Sequence, residues 1–230
     1  MMKKISIVTV VYNDENNILR TIESVASQTF QDKEYLVIDG CSSDGTIQII
    51  KQNLDKIDKF VSEPDKGIYD AMNKAIDLAE GEWIIFMNSG DVFVDNKVLS
   101  NIFNKQISKN INFIYSDYYV GSKLVDSSFN KGFLLHQAVI YKRKMHERYG
   151  YYQVTKPYII SDFMFFMRFV PEETLKVDVP IARNDLAGVS NGCWCLYQRL
   201  CCDYIYHRLT LPMLIIKIIY WSFVFAFRKK

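Results

Sequence analysis

The chain has 230 residues, 49% hydrophobic and 23% charged, with a formal net charge of +2. That size suits one α/β domain, or one domain with an appendage, and supplies apolar residues for a sizeable core. The near-balanced charge excludes a nucleic-acid-binding protein, which would be far more basic.

"MMKKISIVTVVY" runs straight into a strand pattern, so no signal peptide is expected. "ISIVTVVYN" (5–13) is almost continuously apolar, as a buried parallel strand should be. A helix is expected over 15–28, with Ile18, Ile22, Val25 and Ala26 on one stripe. "EYLVIDG" (34–40) reads as a second buried strand, and 42–54 as a helix behind helix-start residues. A short strand (59–67) breaks at Pro64, and an amphipathic helix (67–81) carries Asp70, Asn73, Lys74 and Asp77 on its polar side. "EWIIFMNSGD" (82–91) is the next strand. This β-α-β-α-β-α-β order calls for a mostly parallel sheet with right-handed crossovers.

Beyond residue 95 the pattern loosens. A helix is expected at 96–106, strands at 112–120 and 136–143 at a mixed-sheet edge, a helix from Ser161 through 170, and a strand at 174–183. Residues 191–207 read as a helix. Four of the five cysteines (Cys193, Cys195, Cys201, Cys202; the fifth is Cys41) fall there. "CWCLYQRLCC" is neither a disulfide framework nor a C-x-x-C zinc spacing, so reduced thiols in a cytosolic helix are expected. The tail (209–230) is apolar from Leu211 to Phe227, broken by Pro212, Lys217 and Ser222. From Arg199 onward there are six Lys/Arg against Asp203 alone. It reads as a helix lying in or against an anionic membrane surface, the alternative being a helix packed on the domain.

In an open parallel sheet, ligands sit beyond the carboxyl ends of the strands. Polar clusters are expected there: Tyr12-Asn13-Asp14-Glu15, Asp39-Gly40 and Asn88-Ser89-Gly90-Asp91, with Asp65-Lys66-Gly67 leading into the helix that carries Asp70. The rim suits a nucleotide. No G-x-x-x-x-G-K-[ST] and no G-x-G-x-x-G follows a strand. The phosphates then need another counter-charge, which a divalent cation held by Asp91 would supply, with Gly90 letting the backbone approach the ligand.

"SIVTVVYNDENNILRTIESVASQTFQDKEYLVIDGCSSDGT", "DKGIYDAMNKAI" and "GEWIIFMNSGDVF" together resemble the family 2 glycosyltransferases of the A-type fold, closest to the group that builds bacterial exopolysaccharide, capsule and O-antigen chains. The similarity is dense from residue 5 to about 95, thinner through "HQAVIYKR" and "ISDFMFFMRF", and absent from the tail. The resemblance implies a single Rossmann-like catalytic domain over 1–190. Its nucleotide-binding half is 1–95 and its acceptor half 96–190; by its own composition the remainder, 191–230, reads as a helical, membrane-associating tail. The resemblance also implies an Mg²⁺- or Mn²⁺-dependent, inverting transfer from a nucleoside-diphosphate sugar to an acceptor hydroxyl, and the tail fits a lipid-linked or oligosaccharide acceptor. The enzyme would be cytoplasmic and peripheral on the inner face of the plasma membrane, and UDP and GDP both stay open.

Carried over by residue, Val11, Asn13 and Glu15 lie near the base or ribose, and Asp39 bonds the base. Asp65, Lys66 and Asp70 flank the nucleotide. Asp91 is the last acid of a D-x-D motif. Asp162 is the general base, and His136 and Gln137 lie near donor or acceptor. Ser89 stands where the first D-x-D acid would be, which leaves Asp91 as the only protein carboxylate on the metal. Two other readings compete: a non-catalytic nucleotide-sugar-binding partner of a membrane complex, and a sugar-1-phosphate nucleotidyltransferase. The second would want a basic phosphate loop where "YNDENN" is acidic.

Overall fold

A computed structural model describes residues 3–154, 160–184 and 193–228. In chain order the elements are β1 (Ile5–Val11), α1 (Ile18–Ala26), β2 (Lys33–Asp39), α2 (Thr46–Lys51), β3 (Lys59–Ser62), α3 (Ile68–Leu78), β4 (Trp83–Phe86), β5 (Val92–Phe93) and α4 (Val98–Phe103). There follow β6 (Phe113–Ser116), β7 (Tyr118–Val120), β8 (Lys123–Val125), β9 (Val139–Lys142), α5 (Met145–Tyr149), α6 (Ser161–Phe166), β10 (Thr174–Val177), β11 (Ala182–Asn184), α7 (Cys193–Ile205) and α8 (Leu211–Arg228).

The main sheet has seven strands in the order β10-β6-β9-β4-β1-β2-β3. β3, β2, β1 and β4 run parallel, as do β6 and β10, while β9 lies antiparallel between β4 and β6. β1 reads as continuously apolar because both of its faces are covered. Val8 and Val10 point into one core layer, with Tyr69, Met72 and Ala75 of α3 and the phenylalanines of α6. Ile5, Ile7 and Val11 point into the other, with Ile18, Ile22 and Val25 of α1 and Leu99 of α4. A smaller sheet of four strands has the order β5-β11-β7-β8.

The first half follows the expected element order with shorter helices. α1 starts at Ile18 rather than at residue 15, because Asp14 to Asn17 form a turn in which Asn17 and Ile18 N–H both donate to the Asp14 carbonyl. The second half departs further. Residues 112–120 and 174–183 were each expected as one strand, and each splits between the two sheets. The first breaks at Asp117, which accepts from Ser127 N–H and pairs with Lys176. The second breaks before Ile181, whose N–H donates to Ser116 Oγ, next to Pro180. Nor do β6 and β9 form a sheet edge: both are interior, and β9 is buried along its length. The segment expected as a strand from 136 opens instead as a 3-10 turn, His136–Ala138, before β9 begins.

Candidate active site

The carboxyl ends of β1, β2 and β4 meet at one rim, and the loops there are tied together by their own side chains. Asn13 adopts a left-handed conformation (φ 48°). Its N–H donates to Ser42 Oγ, and its Oδ1 accepts from Ser43 N–H, both at 2.8 Å. Asp14 N–H donates to Thr46 Oγ1, and Glu15 Oε2 accepts from Gly45 N–H at 2.7 Å. Asn13 and Glu15 therefore brace the β1–α1 loop against the β2–α2 loop. Val11 is buried in the core, and its carbonyl accepts from Gly40 N–H.

Asp39 is fully buried at the end of β2. One carboxylate oxygen accepts from Ser42 N–H and Ser62 Oγ, while the other, Oδ1, has no partner. A side chain at Gly40 would collide with Asp65 and press on the ring of Tyr12, which is exposed. Asp65 accepts from Gly67 N–H, and Asp70 accepts from Lys66 N–H while lying 3.8 Å from Lys74. Asp70 thus fastens the first turn of α3, where the N–H groups lack helical partners, and the Lys66 side chain is exposed.

The turn after β4 is held from beneath by Thr21 of α1. Its hydroxyl accepts from Gly90 N–H and donates to the Asp91 carbonyl, both at 2.9 Å. Gly90 sits at φ 91°, where an L side chain is strained. Ser89 donates to Asp14 Oδ2 at 2.6 Å, so a carboxylate from the β1 loop lies against the position where a first motif acid was expected. Asp91 is 7% exposed, and Gln137 Nε2 donates to its Oδ2 at 2.7 Å. Burial pushes the Asp91 pKa up to about 6, against the opposing pull of His136 and the Gln137 hydrogen bond.

His136 bridges to the far side. One ring nitrogen lies 2.9 Å from Asn88 Nδ2, the other 3.4 Å from Asp162 Oδ2. Tyr69 of α3 donates to Asp162 Oδ1 at 2.8 Å. Burial pushes Asp162 up, but His136 and Tyr69 outweigh it and hold its pKa below the ordinary carboxylate value. The His136 ring moves the other way: burial lowers its pKa, and Asp162 and Asp91 more than reverse this. Two carboxylates are thus held by adjacent residues of one 3-10 turn, with their pKa values driven apart.

The structure brings Asp91, Gln137, His136 and Asp162 into one linked group, with Ser89 and Gly90 at its edge. Asp39, Asp65 and Asp70 lie along the neighbouring rim. Asn88, Thr21, Tyr69 and Asp14 were not singled out from the sequence. Only Asn88 and Asp14 carried a signal there, by lying in the strand-end clusters. Besides Asp39 Oδ1, the buried Asn88 Oδ1 and Gln137 Oε1 have no hydrogen-bond partner.

Asp91 offers a hard carboxylate oxygen, the ligand type that Mg²⁺ and Mn²⁺ take, with the Gln137 amide against it. Among the described residues no three His, Cys, Asp or Glu side chains group as a metal site. A cation here would have Asp91 as its protein carboxylate and would take its remaining ligands from a bound molecule and water.

The sequence profile described as Glycosyl transferase family 2 matches residues 6–175. A PGL/p-HBAD biosynthesis glycosyltransferase from Mycobacterium bovis (strain BCG / Pasteur 1173P2) is 27% identical over 190 residues, covering 74% of this chain and 72% of that protein. The Escherichia coli UDP-Glc:alpha-D-GlcNAc-diphosphoundecaprenol beta-1,3-glucosyltransferase WfaP is 34% identical over 125 residues, covering 54% of this chain and 49% of that protein. Among solved structures, S. aureus TarS 1-349 in complex with UDP-GlcNAc superposes with a TM-score of 0.73 at 19% identity, over 88% of this chain and 65% of that one. The mannosyltransferase PcManGT from Pyrobaculum calidifontis, in complex with GDP-Man and Mn²⁺, does so with 0.70 at 14% identity, over 94% and 69%. The chain thus spans about half of the E. coli relative and under two thirds of the TarS fragment.

Proposed function

The chain belongs to glycosyl transferase family 2, and on that premise we propose that it moves a sugar, with inversion, from a nucleoside-diphosphate donor to a lipid-linked saccharide in cell-surface polysaccharide synthesis. The observation that carries this reading is the set of buried, unpartnered acceptor oxygens on Asp39, Asn88 and Gln137 along one rim. Buried acceptors without donors are costly, and a base N–H and sugar hydroxyls would supply the missing donors. On this reading residues 1–95 bind the nucleotide and 96–190 face the acceptor. Asp39 reads the base with Tyr12 and Asp65 beside it. Asn13 and Glu15 act by bracing the loops under the ribose.

Asp91 would hold Mg²⁺ or Mn²⁺, whose charge offsets the negative charge gathering on the departing diphosphate. Gln137 orients the Asp91 carboxylate. Asp162, held ionised and 18% exposed, accepts the proton of the acceptor hydroxyl as it attacks the anomeric carbon. Tyr69 and His136 aim that carboxylate. A single displacement without a covalent enzyme intermediate inverts the anomeric centre.

The protein would work peripherally on the cytoplasmic face of the membrane. Among the described residues no helix is long and apolar enough to cross one. α8 nevertheless exposes Ile215, Ile216, Ile219, Tyr220 and Phe223, as an interfacial helix does.

The test is hydrolysis of a panel of UDP- and GDP-sugars by purified protein, with Mn²⁺, with chelator, and with Asp91→Ala. Metal-dependent release from one donor, lost in the variant, is expected. Nucleotide binding with no turnover of any donor would favour the non-catalytic partner instead.

A further inference from the structure

Arg199 and Arg208 lie where the proposed base meets the tail. The Arg199 guanidinium packs over the Phe163 ring, 4.6 Å from its centroid, and donates to the Gly132 carbonyl. Phe163 is the residue next to Asp162. Arg208 packs over Phe129 at 5.9 Å, against Gly132, and its Nη1 is buried without a hydrogen-bond partner. Burial pushes its pKa down, against the pull of Asp203.

Asp203, itself pushed up by burial, lies in electrostatic reach of Arg199, Arg208 and Lys217. Asp203 thus faces three cations. From there α8 runs on, joined to α7 by Tyr197 and Ser222 (2.8 Å), with the apolar side chains that it exposes.

We propose that Arg199 and Arg208 form the subsite for the diphosphate of a polyprenyl-diphosphate acceptor, with α8 as the surface along which its lipid lies. This rests on the reading of the protein as a glycosyltransferase with a lipid-linked acceptor, and it names the residues that would read the link. The order along the protein is that of the ligand: the base Asp162 for the sugar hydroxyl, the two arginines for the diphosphate, and the apolar helix for the chain. Arginine suits the task because its fork pairs with phosphate oxygens.

The test uses the full chain and phosphatidylcholine vesicles doped with undecaprenyl diphosphate. The control vesicles carry phosphatidylglycerol brought to the same surface potential. Binding about tenfold tighter to the diphosphate vesicles is expected, displaced by inorganic pyrophosphate, lost in an Arg199→Gln, Arg208→Gln double variant and partly kept in Arg208→Lys. Equal binding to both vesicles would reduce the site to a generic basic surface and overturn the proposal, as would no binding at all. Pyrophosphate displacement is read on the wild type, so it decides the matter even if the double variant misfolds. Donor hydrolysis, measured separately, tells the two failures apart. Hydrolysis without diphosphate preference sinks only this subsite, and absence of hydrolysis sinks the reading beneath it.

Discussion

Replacing Asp91 by Asn exchanges a buried carboxylate for an amide of the same shape, and the structure sets both the size and the pH window of the effect. Burial raises the Asp91 pKa from its ordinary 3.8 to about 6. Below about pH 4 the group is protonated in both the folded and the unfolded chain and costs nothing. As pH rises from about 4 to about 6, the unfolded chain releases the proton while the folded one retains it, so stability falls with pH. Above about pH 6 the cost is complete, and a rise of roughly two in pKa corresponds to about 3 kcal/mol. Asparagine can still accept from Gln137 and carries no charge. Asp91→Asn should therefore be more stable than the wild type by about 1–3 kcal/mol near pH 7.5, the advantage vanishing near pH 4.

Urea unfolding of both proteins across that range, in chelator, measures the difference directly. The difference is what matters, because Asp162, whose pKa is held low, contributes to the raw curve with the opposite sign. With the chelator replaced by Mn²⁺ and a nucleoside diphosphate, the wild type should gain stability from the metal and the variant should not. A variant no more stable at pH 7.5, or one with an equal advantage at pH 4, would refute the claim that this carboxylate is held at a cost for a ligand.

Asp162→Asn can keep partners for Tyr69 and His136 but removes the proton acceptor. Transfer should fall by about 10²–10⁴-fold with nucleotide affinity unchanged by calorimetry; transfer within a few-fold of wild type would remove Asp162 from the role of base. Tyr69→Phe deletes one of the hydrogen bonds that keep Asp162 ionised, so the acid limb of the pH–rate profile should move to higher pH. A limb that stays in place would mean that His136 alone sets the charge. Thr21→Val leaves Gly90 N–H and the Asp91 carbonyl without their hydroxyl partner, which should cost about 2–4 kcal/mol in denaturant unfolding. A loss under about 0.5 kcal/mol would show that the turn supports itself.

The alternation of apolar runs and amphipathic stretches up to residue 95 sufficed for the order of β1 to β4 and α1 to α3. Each buried strand there is covered by the helix that follows or precedes it in the chain, so local pattern and global packing agree. The strand-end positions of Asp39 and Asp91 were legible for the same reason: a parallel sheet delivers every carboxyl end to one rim.

Only the tertiary structure decided the rest. β9 reverses direction inside the sheet, and residues 112–120 and 174–183 each cross from one sheet to the other. Those choices depend on partners far along the chain, such as Ser116 Oγ meeting Ile181 N–H. Likewise, nothing local to Thr21, Tyr69 or Asn88 marks them as supports of the site. Thr21 lies 69 residues from Gly90, Tyr69 lies 93 from Asp162, and Asn88 lies 48 from His136. A hydrogen bond between side chains so distant in sequence leaves no periodicity and no spacing to read. It exists only because the sheet has closed and the two helices α1 and α3 have settled on opposite faces of it.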